Sequence, residues 1–421
     1  MWAEIQKAEP RAFTPAVPIS EARKLLGPGT VFVSFTVRDN AGIVYAVDGS
    51  ASSGVLTGLI DPNAFRDAKA AHDLAGWASS FWQRVSTPPP DPVGLTSSAS
   101  ALAHEGQEWF NALFPGEIGA LVRKSKRLIV SPDGPLWQLP LAALATDIAA
   151  NGTPHYLGQR VGIAYAPSLS LYAQTVNEQR QWKPRAPLDA VVIGDPDFAR
   201  SVELTPDDPE ASRIWAGLYP HGSRPYPLEA TIQEAKLIAE QYRVSPLTGD
   251  DATEAALRSR IERADIIHLA THAALKSGEP MASGLLLAPP EREKPKGDTN
   301  DDGALQAWEI FSQLKLRADL VVLSACDTAR GDVVNGEGIV GLTRAFQYAG
   351  ARSIVATQWS VAAGDSTARL MEEFHRRLRE GKPKDEALRE AMSVIRKSYP
   401  HPYYWAPFLL LGDPNNTYLG R

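Results

Sequence analysis

Cys326, the single cysteine of this 421-residue chain, stands where the apolar run Leu320 to Leu323 gives way to the polar stretch Ser324-Ala-Cys-Asp-Thr-Ala-Arg-Gly331. Such a run reads as a buried strand, and a residue just past its C-terminal end sits on the edge where α/β sheets build their sites. Two readings of the thiol compete. Free cysteine is among the most buried residue types, so position alone favours packing. A nucleophile needs a partner, because a free pKa of about 8.5 leaves only a few per cent thiolate at neutral pH. His272 is the candidate partner. It lies just past a second apolar run, Asp265 to Leu269, fifty-four residues before the cysteine. Were the two runs neighbours in one parallel sheet, both side chains would meet at its C-terminal edge. The imidazole would take the thiol proton during attack and return it to a leaving amine. The backbone N–H groups of Cys326 and of the residue after His272, Ala273, would hold the developing oxyanion.

Two other constellations are decoys. His268-Leu-Ala-Thr-His272 has the i, i+4 spacing of helical zinc ligands, but this segment reads as a strand, where four residues span roughly 13 Å. The glutamate of H-E-x-x-H is also replaced by Leu269. No metal is expected, and His268 reads as a core histidine. Gly336-Glu-Gly338-Ile-Val-Gly341 matches G-x-G-x-x-G letter for letter. That fingerprint works only when its first glycine turns directly off a strand. Here Asp327 to Asn335 intervene, and the following strand ends in Gln358 and Trp359 rather than in the acid that binds a ribose. A nucleotide-binding enzyme is therefore the weakest alternative, and no organic cofactor is expected.

The elements that must position these residues alternate between strand and helix. Strands are expected near 31–37, 43–47, 127–131, 190–193, 265–269, 285–287, 319–325 and 352–357. Helices are expected near 64–84, 98–113, 229–242, 253–263, 305–313, 338–349, 365–380 and 384–397. The alternation favours a mainly parallel sheet flanked by helices. Proline-rich residues 1–28 read as a lead-in segment, and a break in composition over Gln179 to Leu188 divides a first half, 29–178, from a second, 188–421. Length alone predicts two or three domains.

Composition narrows the classes. The formal charge of -6 and the lack of an extended basic cluster argue against nucleic-acid binding. One cysteine excludes an internal disulfide framework and suits a reducing compartment. The N-terminus lacks the pattern of a secretory signal and no stretch is apolar enough to cross a membrane, so a cytoplasmic protein is expected.

Together, Arg127-Leu-Ile-Val-Ser-Pro-Asp-Gly-Pro-Leu-Trp-Gln-Leu-Pro-Leu-Ala-Ala-Leu144, Tyr165-Ala-Pro-Ser168, Leu247-Thr-Gly-Asp-Asp-Ala-Thr253, His268-Leu-Ala-Thr-His-Ala273, Leu323-Ser-Ala-Cys-Asp-Thr328, Gly336-Glu-Gly338 and Tyr403-Tyr-Trp405 resemble the CHAT domain. These are caspase-like domains often found with tetratricopeptide repeats. The likeness runs from about residue 28 to residue 415. It implies an α/β, caspase-like fold in two tandem halves, the first an inactive pseudo-caspase half and the second an active half holding the His272 and Cys326 dyad. The separation of the pair is near that of caspases. It further implies a cysteine endopeptidase acting on a protein substrate, such as a pore-forming or regulatory protein, with an activating sensor or repeat domain as partner and a role in bacterial defence. Candidates to line the pocket for the residue before the cut are Asp327, Glu337, Trp359 and Asp365, and an acid there would favour Arg or Lys. Aspartate specificity is not carried over, because the sequence around Cys326 departs from the caspase motif. The usual glycine after the histidine is Ala273, and no 34-residue helical repeat is present. A catalytically silent interaction module remains the alternative from another class.

Overall fold

The computed structural model describes residues 16–38, 41–50, 54–60, 73–90, 97–183, 185, 187–198, 227–276, 279–289, 302–324, 337–359 and 365–416. The chain folds as two compact units, Met1–Lys183 with Gly381–Thr417, and Pro184–Glu380 with Tyr418–Arg421.

The first unit begins with helix α1 (Ile19–Leu26) and the strands β1 (Thr30–Arg38), β2 (Ala41–Asp48) and β3 (Leu56–Ile60). Helices α2 (Leu74–Ser86), α3 (Ser97–Leu113) and α4 (Gly116–Lys124) follow, then β4 (Arg127–Ser131), the small hairpin of β5 (Ala145–Ile148) and β6 (Pro154–Tyr156), β7 (Gly162–Tyr165) and α5 (Leu169–Gln181). Strands β1, β2 and β3 form an antiparallel meander, while β1, β4 and β7 are parallel. The difference lies in the connections: adjacent antiparallel strands need only a tight turn, whereas a parallel return needs a long crossover.

The second unit contains β8 (Ala190–Pro196), α6 (Glu229–Tyr242), β9 (Leu247–Gly249), α7 (Glu254–Ile261), β10 (Ile266–Ala270), β11 (Ala273–Ala274), β12 (Gly284–Leu286) and β13 (Ala304–Gln306). It continues with α8 (Ala307–Gln313), β14 (Leu320–Leu323), α9 (Glu337–Ala349), β15 (Ser353–Thr357) and α10 (Asp365–Arg379). Its main sheet has the order β15-β14-β10-β8-β9, every pair parallel. Strands covered on both faces should be apolar throughout rather than alternating, and Ile266–Ala270, Leu320–Leu323 and Ser353–Thr357 are buried at every position. A fully buried Val, Leu or Ile side chain contributes roughly 1.5–3 kcal/mol, so these runs dominate the local stability. Strands β11, β12 and β13 form a separate antiparallel sheet.

The chain then returns to the first unit as α11 (Lys384–Ser398) and β16 (Phe408–Gly412), which pairs in parallel with β7. The sequence assigns all of 188–421 to one half, but packing sends Gly381–Thr417 to the other. One of the contacts that hold it there is specific: Arg127 at the start of β4 grips the buried carboxylate of Asp385 on α11 with two hydrogen bonds of 2.7 and 2.8 Å. A second difference is local. The expected helix over 305–313 starts at Ala307, because Gln306 ends β13 and its N–H donates to Glu309, closing a capping box. Among the described residues no helix is long and apolar enough to cross a membrane.

Candidate active site

Three parallel strands of the second unit, β10, β14 and β15, lie side by side just ahead in sequence of His272, Cys326 and Trp359. Register pairs Leu269 of β10 with Leu323 of β14, and the Ser324 N–H donates to the Leu269 carbonyl at 3.0 Å. His272 and Cys326 each follow that matched pair by three residues along the chain. Cys326 and Asp327 lie outside the described residues, and of Glu337 only its place as the first residue of α9 is described.

His272 is 2% exposed, and its ring packs against Phe198 at a centroid distance of 5.3 Å and an interplanar angle of 54°. Its carbonyl accepts from the Leu286 N–H at 2.9 Å, and the neighbouring Thr271 hydroxyl donates to the Leu286 carbonyl. The histidine backbone is thereby pinned to β12. Phe198 in turn belongs to a buried apolar cluster with Ala274, Leu286 and Ala304 of the three-stranded sheet.

Ala273 pairs with Leu285 across β11 and β12. In an antiparallel ladder, the bond from Leu286 N–H to His272 carbonyl defines the intervening pair as non-hydrogen-bonded. The Ala273 N–H is therefore directed away from β12. Its φ also lies outside the left-handed region, where among the described non-glycine residues only Asp195 and Arg243 are found. Alanine occupies this position without the conformational freedom that glycine would give.

The other candidates separate. Trp359 follows β15 with its indole 1% exposed, so it is a packed wall of the fold rather than an open surface. Asp365 is exposed at the first turn of α10 and pairs with Arg369 one turn later at 3.3 Å. His268 points to the opposite side of β10 from its strand neighbours, as a period of two requires, and is fully buried. Its Nε2–H donates to Glu234 at 3.0 Å, and its Nδ1 accepts from His375 Nε2–H at 3.2 Å. It is the satisfied core histidine expected, and no cluster of three metal-ligating side chains exists among the described residues. Of the glycine motif, Gly341 lies in α9, where an added Cβ would stand 2.6 Å from the Pro280 Cβ. Its role is close helix packing.

Sequence reasoning missed the end of β8. Gly194-Asp-Pro-Asp197 reads as a turn, yet the strand continues through it to Pro196. Between Gly194 and Pro196 the register with β9 shifts, so Asp195 is the extra residue of a β-bulge, with φ 43°. Its N–H donates to Thr231 Oγ1 at 2.8 Å, and its carboxylate accepts from the Leu228 N–H at 2.5 Å. Gly194 must be glycine, since a Cβ there would lie 2.5 Å from the Thr231 carbonyl. The only hint in the sequence was an acid and a proline just after a strand adjoining that of His272.

A sequence profile of the CHAT domain matches residues 104–413. Tetratricopeptide repeat protein 28 of Homo sapiens is 27% identical over 322 residues, which is 69% of this chain and 12% of that protein. Its Mus musculus counterpart is 27% identical over 328 residues, with the same coverage. The chain thus spans 12% of the length of these curated relatives. Saccharomyces cerevisiae separase, solved in complex with securin, superposes with a TM-score of 0.50 at 10% identity, over 94% of this chain and 31% of that one. The last likeness speaks to architecture alone: a mixed α/β fold of the caspase-like kind, with the parallel strands already described. With three quarters of its length under the profile, and with its histidine motif at the end of a parallel strand, the chain belongs to the CHAT domain family.

Proposed function

We propose that this chain is a cysteine endopeptidase in which Cys326 attacks a peptide carbonyl and His272 acts first as base and then as acid. The observation that carries the reading is the register of β10 and β14, from whose matched residues Leu269 and Leu323 the histidine and the cysteine are equally far along the chain. The direction of the Ala273 N–H, away from the β12 ladder, supports its use with the Cys326 N–H as an oxyanion donor. Asp327, Glu337 and Asp365 are the acids proposed to select Arg or Lys before the cut, and Trp359 is the aromatic residue proposed to line the same pocket.

The activity is read as directed at a protein and governed by a protein partner. Curated relatives that carry tetratricopeptide repeats in their names support this, as does the small share of their length that this chain matches. A place in bacterial defence rests on the family resemblance alone, and a cytoplasmic location on the single cysteine.

The test compares native protein, Cys326→Ala and His272→Ala on an unbiased peptide library, with and without the products of neighbouring genes. Cleavage by native protein, with both variants reduced by a thousandfold or more, is expected. Cleavage that survives in Cys326→Ala, or no cleavage by native protein under any condition, overturns the reading. In the latter case the chain is a silent interaction module of the same fold.

A further inference from the structure

Asp195 occupies a conformation that needs a reason. Left-handed backbone is strained for a non-glycine residue, and such strain persists where the surroundings impose it. Here they do. The bulge removes Asp195 from the ladder, Thr231 Oγ1 takes its N–H, Leu228 donates to its carboxylate, and the Thr231 hydroxyl closes the ring by donating to the Leu228 carbonyl at 2.8 Å. Bulges at sheet edges re-aim a side chain, and this one lies beside the histidine. Gly194 pairs with Ala270 of β10, so Asp195 and Thr271 are the next residues on adjacent strands, and Phe198, three residues after the acid, touches the His272 ring. Asp195 is within electrostatic reach of His272 itself. Across the sheet, the strand order β14-β10-β8 sets the chains leading to thiol, imidazole and carboxylate side by side.

We propose that Asp195 is a positioning residue for His272, a carboxylate that orients the imidazole and stabilises its protonated form. The assignment rests on the His272 and Cys326 reading given above. It differs from a purely structural account, in which Asp195 only caps α6 through the Leu228 N–H. Burial is the largest influence on the Asp195 carboxyl and pushes its pKa up, and Glu229 and Asp197 add to this. The Leu228 N–H and His272 pull in the other direction. An acid with such neighbours gains most by ionising against an imidazolium.

Asp195→Asn separates the two accounts, since asparagine still accepts from the Leu228 N–H but carries no charge. The readout is the rate of alkylation by iodoacetamide against pH, which reports Cys326 alone because no other thiol exists. The expected result is a midpoint in Asp195→Asn that is higher than in native protein by about one pH unit, with about a tenfold loss of thiolate at neutral pH. A profile identical to native overturns the role of Asp195 and leaves the dyad standing. A native midpoint already at about 8.5, unmoved by His272→Ala, overturns the dyad itself. Should Asp195→Asn fail to fold, the pKa of His272 in otherwise native Cys326→Ser, read by NMR, decides. Burial alone would hold it below the ordinary value of about 6.5, and a value there overturns the proposal. A value above it is the expected outcome.

Discussion

Arg127 shows how much one side chain can be asked to hold. Its guanidinium meets both oxygens of Asp385, and its remaining arm donates to Asn415 Oδ1 at 2.9 Å. Both partners come from the returning segment, and Asp385 is almost fully buried. Breaking a buried pair from one side leaves an uncompensated charge, typically a loss of about 3–5 kcal/mol. Arg127→Met should therefore lower the free energy of unfolding of the first unit, measured by urea titration, by that order. Arg127→Lys should recover little, because an ammonium cannot reproduce the two-pronged contact. Asp385→Leu combined with Arg127→Met should cost less than Arg127→Met alone, and a strictly additive double variant would refute the pairing.

At the scale of elements, two buried polar clusters in the second unit set opposite responses to pH. Strand β10 and helices α6 and α10 share the first: Tyr242 O–H donates to His375 Nδ1 at 2.9 Å, His375 donates to His268, and His268 donates to Glu234. Burial, then the nearby His268, holds the His375 pKa well below its ordinary value. The folded chain refuses a proton that the unfolded chain accepts, so this contribution is complete above about pH 6.5 and is lost as pH falls from there. Helices α7 and α8 share the second cluster, in which Arg258 bridges Glu254 at 2.7 Å and Glu309 at 3.0 Å. Burial pushes Glu254 up to about 8 and Glu309 up to about 7. Here the folded chain keeps a proton that the unfolded chain releases, so stability is fullest below about pH 4.5 and is lost as pH rises through 7 and 8. Glu254→Gln keeps the shape and removes the charge. It should match native protein at pH 5 and exceed it by at least about 1 kcal/mol at pH 8, measured by urea unfolding. Equal stability at both pH values would count against a buried, protonated Glu254.

The same elements show what was legible in the sequence. Helix Glu229–Tyr242 and strands Ile266–Ala270 and Leu320–Leu323 were readable because their apolar spacing or unbroken apolar run is long relative to the element. That the strands preceding His272 and Cys326 are parallel neighbours followed from two such runs. Phe408–Gly412 was not read as a strand, since a short apolar run between a proline and a glycine fits several structures. The Asp195 bulge was beyond reach for a deeper reason. Composition marks Gly194-Asp-Pro-Asp197 as irregular, but the face that a bulged side chain takes is fixed by pairing with Leu247–Gly249, which no local pattern encodes.

For the whole molecule, the decisive feature is connectivity. The chain leaves the first unit after Lys183 and comes back at Gly381, so the unit bearing His272 is inserted within the unit that lacks it. Both described ends of the polypeptide, from residue 16 and to residue 416, belong to the outer unit. Mechanical load offers a consequence of that return. A pull applied between the two ends travels through the pairing of β16 with β7 and the Arg127 clasp on α11, and the inserted unit stays slack until they part. Stretching single molecules should first rupture the outer unit, then release the inserted one as a later step of up to about 70 nm at full extension. The reverse order would contradict the return of Gly381–Thr417 to the first unit.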